Sequence, residues 1–414
     1  MVTIIGAGPA GMMAAVAVTL KGVDCVLLEK NDKPGKKLYI TGKGRCNLTN
    51  NTDKKGLISH TMSNPKFLYS AFSKMDSKSL MEFFESRGTP LKTERGNRVF
   101  PVSDKAVDIT KTLMKYIRNA KFNINVNDIK YKDTEFFVNG EYKSKALIIA
   151  TGGLSYPSTG STGDGYEFAK HLGHTCTPLS PSLAPIILKE TWIRDLSGLS
   201  LKNIRLKLLY KNSIIYEEIG EMLFTHHGIS GPLVLTASSY IKDINDHEII
   251  IDLKPGLDTK QLDTRLVREF SQNPNKNIIN TLKSLLPEKL TGIVLKYAEI
   301  KNDTISSNIT KTDRERLVNT LKSLKLIPRT LAGFSEAVIT KGGININEIN
   351  PGTMMSKLLP GLFFAGEILD VDALTGGYNL QIAFSTGYLA GVSAVKFIST
   401  TCFNLKHVTY CNNS

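Results

Sequence analysis

The first thirty residues constrain this chain more than any other stretch. Val2, Ile4 and Ile5 form a short apolar run, Gly6-Ala7-Gly8-Pro9-Ala10-Gly11 opens a segment with no polar residue between Ala10 and Val18, and a second apolar run from Cys25 to Leu28 ends at Glu29. Strand, glycine-rich turn, helix and strand in that order make a unit that holds a dinucleotide. Gly6 permits the tight turn, Gly8 lets backbone approach a pyrophosphate, and Gly11 lets helix and strand pack closely. The helix N-terminus adds free N–H groups and a positive dipole end. Glu29, eighteen residues after Gly11, can accept both hydroxyls of an adenosine ribose and disfavours a 2′-phosphate. The nucleotide expected is therefore FAD or NAD, not NADP.

The 414 residues, 41% of them hydrophobic, suffice for two or three domains with ordinary cores. No run of about 18 apolar residues lacks a polar break, and the apolar start has no basic leader, so a cytoplasmic protein without membrane contact is expected. Cys25, Cys46, Cys176, Cys402 and Cys411 show neither a C-x-x-C nor metal spacing. Redox chemistry has to come from a cofactor, and no metal is expected. The net charge of +14 comes from scattered residues, mostly Lys, without basic runs. It reads as a solvated surface suited to anionic ligands, with nucleic acid not the expected partner.

After Glu29 the segment from Lys30 to Asn51 is polar and glycine-studded. It includes Lys37 and Thr41-Gly42-Lys43-Gly44-Arg45-Cys46-Asn47, which should lie near the bound phosphates but contain no P-loop pattern. Cys46 reads as a buried small residue. Helices are predicted over 65–87 and 104–120, the second capped by Ser103 or Asp104, with strands near 122–126 and 135–138. Asn97-Arg98-Val99-Phe100-Pro101 lies between the two helices without an evident role. The apolar strand 146–150 ends in Thr151-Gly152-Gly153, where small residues let the chain return to the cofactor. A long polar loop then leads to a helix near 166–172, with Tyr156 and Asp164 as candidates to meet substrate or flavin. For Asp164 the alternative is a helix N-cap.

From about residue 181 an alternating pattern predicts antiparallel sheet. Within it stand the adjacent His226 and His227, either able to exchange a proton near neutral pH. A basic helical insert follows from Asp258 to Ile327. The last block, Phe363-Phe364-Ala365-Gly366-Glu367 and then Gly376-Gly377-Tyr378-Asn379 opening an Ala/Gly-rich helix, resembles the flavin-family motif of an apolar strand ending in a carboxylate that bonds the ribityl hydroxyls. The helix start would then be aimed at the flavin N1 and C2 carbonyl.

Together these blocks, with F-T-H-H-G-I-S-G-P and A-G-E-I-L-D-V-D-A-L-T-G-G-Y-N-L-Q, resemble the YhiN/BaiN-like bacterial flavoproteins, also labelled aminoacetone oxidase-like, in order from residue 1 to about 396. The resemblance implies an α/β fold: an FAD-binding, glutathione-reductase-type Rossmann-like domain over 1–180 and 348–396. It also implies a β-barrel-like substrate domain over 181–256 and 328–347, a helical subdomain over 257–327, and a tail over 397–414 to which nothing carries over. By position Gly6, Gly8, Gly11, Glu29, Lys37, Thr41, Gly42, Arg45, Asn47, Gly152, Glu367, Gly377 and Asn379 would line non-covalent FAD. Ala10, Lys30, Gly44, Cys46, Thr151, Gly153, Gly366, Gly376 and Tyr378 would lie beside them.

The activity implied is hydride transfer between flavin N5 and a small organic substrate, with His226, His227 and Tyr156 as candidate catalytic residues. One form is an oxidase of a primary amine such as aminoacetone, with dioxygen as acceptor. The other is an NAD(P)H-dependent reductase, in which the nicotinamide visits transiently because no second G-x-G-x-x-G exists. A flavin-dependent RNA-modifying protein and a non-catalytic flavin sensor are the alternatives.

Overall fold

The computed structural model describes the backbone of residues 1–411 and the side chains of residues 1–400. The chain divides into two compact units, Met1–Ser182 with Phe334–Ser414, and Leu183–Gly333.

In the first unit the opening residues form β1 (Val2–Ile5), α1 (Pro9–Leu20) and β2 (Cys25–Leu28). The other elements that matter for the site are β3 (Thr49–Asn50), β4 (Leu91–Glu94), β5 (Arg98–Pro101), β6 (Ala120–Lys121), β7 (Ala146–Ile149), α2 (Asp164–His171), β8 (Leu362–Phe364) and α3 (Tyr378–Cys411). The central sheet runs β8-β7-β1-β2-β6 and is parallel throughout, with Ile5 opposite both Leu28 and Ile149. Its inner strands are buried on both faces, which explains their unbroken apolar sequence. This is a mixed α/β fold with a Rossmann-like core.

Helix α1 lacks a polar face because it is buried from Ala10 to Val18. It packs on α3 through small residues: a Cβ on Gly387 would overlap the Ala10 carbonyl, and one on Gly391 would stand 2.5 Å from the Ala14 oxygen. Over Tyr378–Thr400, α3 is long and apolar enough to cross a membrane by composition alone, and 61% of it is buried within the fold. Its apolar character is that of a core helix. The expected tail from 397 begins inside α3, and the side chains of Cys402 and Cys411 lie outside the described residues.

Several local expectations are corrected. The predicted helix over 65–87 is a turn and two helices, Tyr69–Lys74 and Ser77–Glu85, because the Asp76 carboxylate caps a new start by accepting from Ser79 N at 2.9 Å. The helix expected over 104–120 is Ala106–Met114, and neither Ser103 nor Asp104 caps it. Ser103 binds the Asp108 carboxylate at 2.6 Å, and Asp104 pairs with Lys92 at 2.6 Å. The strand expected over 122–126 does not form: β6 ends at Lys121, and the chain then runs irregularly beside Glu29.

The second unit holds a seven-stranded antiparallel sheet. Its two edge strands, Leu324–Leu326 and Pro328–Leu331, are consecutive in sequence, so the sheet curls toward a barrel. The helices Thr259–Gln272, Glu288–Tyr297 and Lys311–Lys322 share one core with it. Leu206, Leu208 and Ile249 from strands lie in the same cluster as Leu262, Leu266 and Leu317 from helices.

Candidate functional site

The glycine-rich turn leaves β1 at Gly6, in a left-handed conformation at φ +98°, and a Cβ there would stand 2.6 Å from the Ala150 oxygen. A Cβ on Gly11 would overlap the Gly6 carbonyl, so glycine is required for α1 to start this close to the sheet. Gly8 differs. It caps α1 without a side-chain bond, Pro9 follows at the first helical position, and a Cβ on Gly8 would project into open space. That open space, faced by the first N–H groups of a buried helix, is a cradle for an anion such as a pyrophosphate.

Glu29 ends β2 where it is 8% exposed, its Oε2 accepting from Ala7 N at 2.7 Å and its Oε1 from Asn31 N at 2.8 Å and Asn31 Nδ2 at 2.7 Å. Beside it opens a cleft of about 410 Å3 including its mouth, lined among others by Gly6, Glu29, Lys30, Ile124, Val126, Thr151, Gly160 and Phe168. Apolar walls with a carboxylate at the rim suit an adenosine. Ile124, Val126, Gly160 and Phe168 were not anticipated; the first three stand in irregular segments with no periodicity to read, and Phe168 stands on the short helix α2.

Asp164 is not the N-cap of α2. Gly163 holds that position, and the Asp164 carboxylate accepts from Lys30 Nζ at 2.6 Å and from Thr162 Oγ1 at 2.7 Å, closing one side of the cleft. Burial alone would raise its pKa. Hydrogen bonds from Lys30 and Thr162 and the Lys30 charge outweigh that, and the carboxyl lies below its ordinary range.

At the other end of the cradle Lys37 Nζ donates to Glu367 Oε2 at 2.7 Å and Ser155 Oγ at 2.5 Å. Ser155 in turn donates to Glu367 Oε1 at 2.7 Å, and the Thr340 amide donates to the same oxygen at 2.8 Å. Thr340 Oγ1 accepts from the amides of Leu154 and Ser155. Both oxygens of Glu367 are thus engaged by protein groups: Oε1 accepts twice, whereas Oε2, bonded by Lys37, keeps a second lone pair for a ribityl hydroxyl. Gly153 passes so close that a Cβ would overlap Thr340 Oγ1, and a Cβ on Gly366 would stand 2.8 Å from that of Ala10. Gly152 takes a left-handed turn at φ +76° next to Ser161. Ser155 and Thr340 were missed because their partners lie far along the chain.

The polar loop is more structural than its sequence suggests. Thr41 bonds the Leu38 carbonyl, Gly42 and Gly44 take left-handed turns, and Cys46 is fully buried, its thiol pushed up to about 12 by desolvation. The Arg45 guanidinium lies 4.1 Å over the Phe100 ring and pairs with Glu94 at 2.9 Å, so it offers no free charge to a phosphate. Asn47, in the amide orientation that satisfies both its ends, accepts from Gly377 N and donates to the Thr49 carbonyl, each at 3.1 Å. Gly377 lies against Thr49, where a Cβ would overlap backbone, and Asn50 Nδ2 reaches the Gly376 carbonyl at 3.1 Å. These contacts fix the start of α3, whose next N–H groups have no helical acceptor. Tyr378 is buried and stacks on His60 at 4.4 Å, and Asn379 spends its amide clamping Ala373 and Leu374.

Of the candidate proton carriers, Tyr156 belongs to the same unit as the cradle. It is half-buried in a left-handed conformation at φ 52°, its amide donating to the Phe334 carbonyl at 2.9 Å, and burial followed by the Glu336 charge pushes its phenol up. His226 and His227 lie exposed in the other unit, between the strands Ser213–Phe224 and Gly228–Ser230, with their rings 6.5 Å apart.

Residues 1–393 match the family described as HI0933-like protein Rossmann domain. The chain belongs to this family. Among HI0933-like relatives, a 3-dehydro-bile acid delta(4,6)-reductase from Clostridium scindens is 30% identical over 95% of this chain and 98% of its own length. A ribosomal RNA dihydrouridine synthase from Escherichia coli is 31% identical over 93% of this chain and 95% of its own. A solved 3-ketosteroid-delta4-(5alpha)-dehydrogenase from Rhodococcus jostii shares the fold at a TM-score of 0.50 and 13% identity, covering 95% of this chain and 96% of that one. The HI0933-like chain is an FAD-dependent oxidoreductase, and the open space at Gly8, the cleft beside Glu29 and the Lys37–Glu367–Ser155 cluster fit that cofactor.

Proposed function

We infer that the chain reduces a carbon–carbon double bond conjugated to a carbonyl, and that its substrate is a uracil base in RNA. One observation carries the reading. Two relatives at 30% and 31% identity, each matched over more than nine-tenths of both chains, bear names describing the same chemistry on different molecules. A delta(4,6)-reductase of a 3-oxo steroid and a dihydrouridine synthase both saturate a double bond conjugated to a carbonyl. Saturating such a bond takes a hydride at the electron-poor end of the conjugated system and a proton at the neighbouring carbon. Between the two substrates, the net charge of +14, which the sequence alone reads as a solvated surface, favours the polyanion once a relative named for ribosomal RNA is at hand.

FAD, when bound and reduced, supplies the hydride. The protein binds and orients around it: Glu29 takes the ribose, the Gly6–Gly11 turn the pyrophosphate, Lys37, Ser155 and Glu367 the ribityl end, and the start of α3 the ring end. Tyr156 delivers the proton from its Oη. A phenol is protonated at neutral pH, burial pushes this one further up, and the amide bond to the Phe334 carbonyl anchors the residue's backbone. A nicotinamide donor shares the substrate side, since the chain has a single glycine-rich dinucleotide turn.

The test is product analysis. FAD-loaded protein with NADPH or NADH is incubated without oxygen with an unmodified ribosomal RNA transcript, or with a 3-oxo-4,6-diene steroid. The nucleosides or the steroid are then examined by mass spectrometry. Dihydrouridine in the RNA supports the reading, saturated steroid alone keeps the reaction class and removes the RNA, and neither product removes both.

A further inference from the structure

The hairpin made by β4 and β5 has no part in the cradle, and its tip reads Arg95-Gly96-Asn97-Arg98. We propose that its tip, with Lys43, grips the phosphates of the RNA strand that presents the target base; this rests on the RNA reading above. The first argument is position. Arg98 is in register with Asn50 of β3, and Asn50 Nδ2 donates both to the Gly96 carbonyl at 2.9 Å and to the Gly376 carbonyl at 3.1 Å. Asn51 N adds a bond to the Asn97 carbonyl at 2.7 Å. The tip is therefore tied to the turn that starts α3, the ring end of the cofactor site.

The second argument is charge. Beside the same small sheet Arg45 and Lys92 are neutralised by Glu94 and Asp104. Arg95, Arg98 and Lys43 are exposed and have no acidic partner among the described residues. Arg98 spends its Nε on the Arg95 carbonyl at 3.0 Å, which steadies the side chain and leaves both terminal nitrogens for a bidentate phosphate contact. Lys43 belongs to the same patch. It sits in a left-handed corner at φ 59° next to Gly42, whose Cβ position is 3.2 Å from the Phe100 ring, and Arg98 lies 5.9 Å from that ring's centre. Three exposed cations left unneutralised, one of them on the Phe100 ring, beside the ring end of the site, suit a strand whose backbone is held while one base enters.

The experiment uses the full-length FAD-loaded protein and a labelled single-stranded oligouridylate. Affinity is followed as salt is raised, for wild type, for Arg95→Ala with Arg98→Ala, and for the paired lysine substitutions. The alanine pair should keep its FAD absorbance, bind about 10-fold more weakly per arginine lost and flatten the salt slope by about 1.4. The lysine pair should recover most of the slope but not all of the affinity. Unchanged binding by the alanine pair would overturn the grip while leaving the RNA reading standing. No binding by wild type at low salt would overturn both. RNA binding unaffected, with flavin reduction by NADPH lost, would overturn the grip and reassign the tip to the dinucleotide donor.

Discussion

Lys37 and Glu367 are 330 residues apart in sequence, and their side chains meet at 2.7 Å, with Ser155 bonded to both. Each side chain of the pair is about one-fifth exposed, at 20% and 21%, so the contact is sheltered enough to matter energetically. It joins the loop after β2 to the strand end after β8 at the place where the two halves of the cofactor site must close. Lys37→Ala leaves Glu367 without its cation and should destabilise the fold by about 2 kcal/mol. Thermal melts with and without FAD check this, and a larger loss is expected in the FAD-bound protein.

Gly8 and Gly11 separate folding from cofactor binding. An added methyl at Gly8 enters open space, so Gly8→Ala should melt like wild type without FAD yet bind FAD poorly. At Gly11 the methyl would overlap the Gly6 carbonyl, so Gly11→Ala should destabilise the apoprotein by about 1–3 kcal/mol as well. Equal melting of the two apoproteins would contradict this assignment.

The Lys30–Asp164 pair gives an acid dependence of known sign. The Asp164 carboxyl is lowered in the folded protein, so its contribution is fully present above the ordinary carboxylate pKa of about 3.9. That contribution disappears as pH falls through the lowered value. Asp164→Asn should therefore be less stable than wild type at neutral pH, with the difference closing in acid. Denaturant titrations from neutral to acid pH measure it, and a gap that widens in acid would refute the pairing.

Cys46 should be chemically silent. With its thiol at about 12 and no exposed surface, no thiolate is available at pH values where free cysteines react. Alkylation followed by peptide mass spectrometry should find Cys46 unmodified in the native protein and labelled after unfolding.

Gly6, Gly8, Gly11 and Glu29 were legible in the sequence because each answers a local backbone requirement within one strand-turn-helix unit. Leu206 and Leu208 were legible because alternation reports which face of a strand is buried. Asp104 as a cap, and the cap among the two readings open for Asp164, fail for one shared reason. An acidic residue before a helix looks like a cap until a lysine from elsewhere, Lys30 or Lys92, claims it. Arg45 looked like a phosphate ligand because Glu94 and Phe100, its real partners, lie some fifty residues on. Ser155, Thr340 and the walls of the adenosine cleft left no local mark, since their roles exist only once β7, β8 and the loops around them are brought together.

The most direct test of the central claim is reoxidation of the flavin in the absence of oxygen. The purified protein is loaded with FAD, its band at about 450 nm bleached with one equivalent of dithionite, and unmodified ribosomal RNA transcript added. The account predicts that the band returns on mixing with this RNA, more slowly with Tyr156→Phe, and fails to return with RNA whose uridines are already saturated. A band that stays bleached with RNA, yet returns at once with air after reduction by aminoacetone, would contradict it and make the protein an amine oxidase.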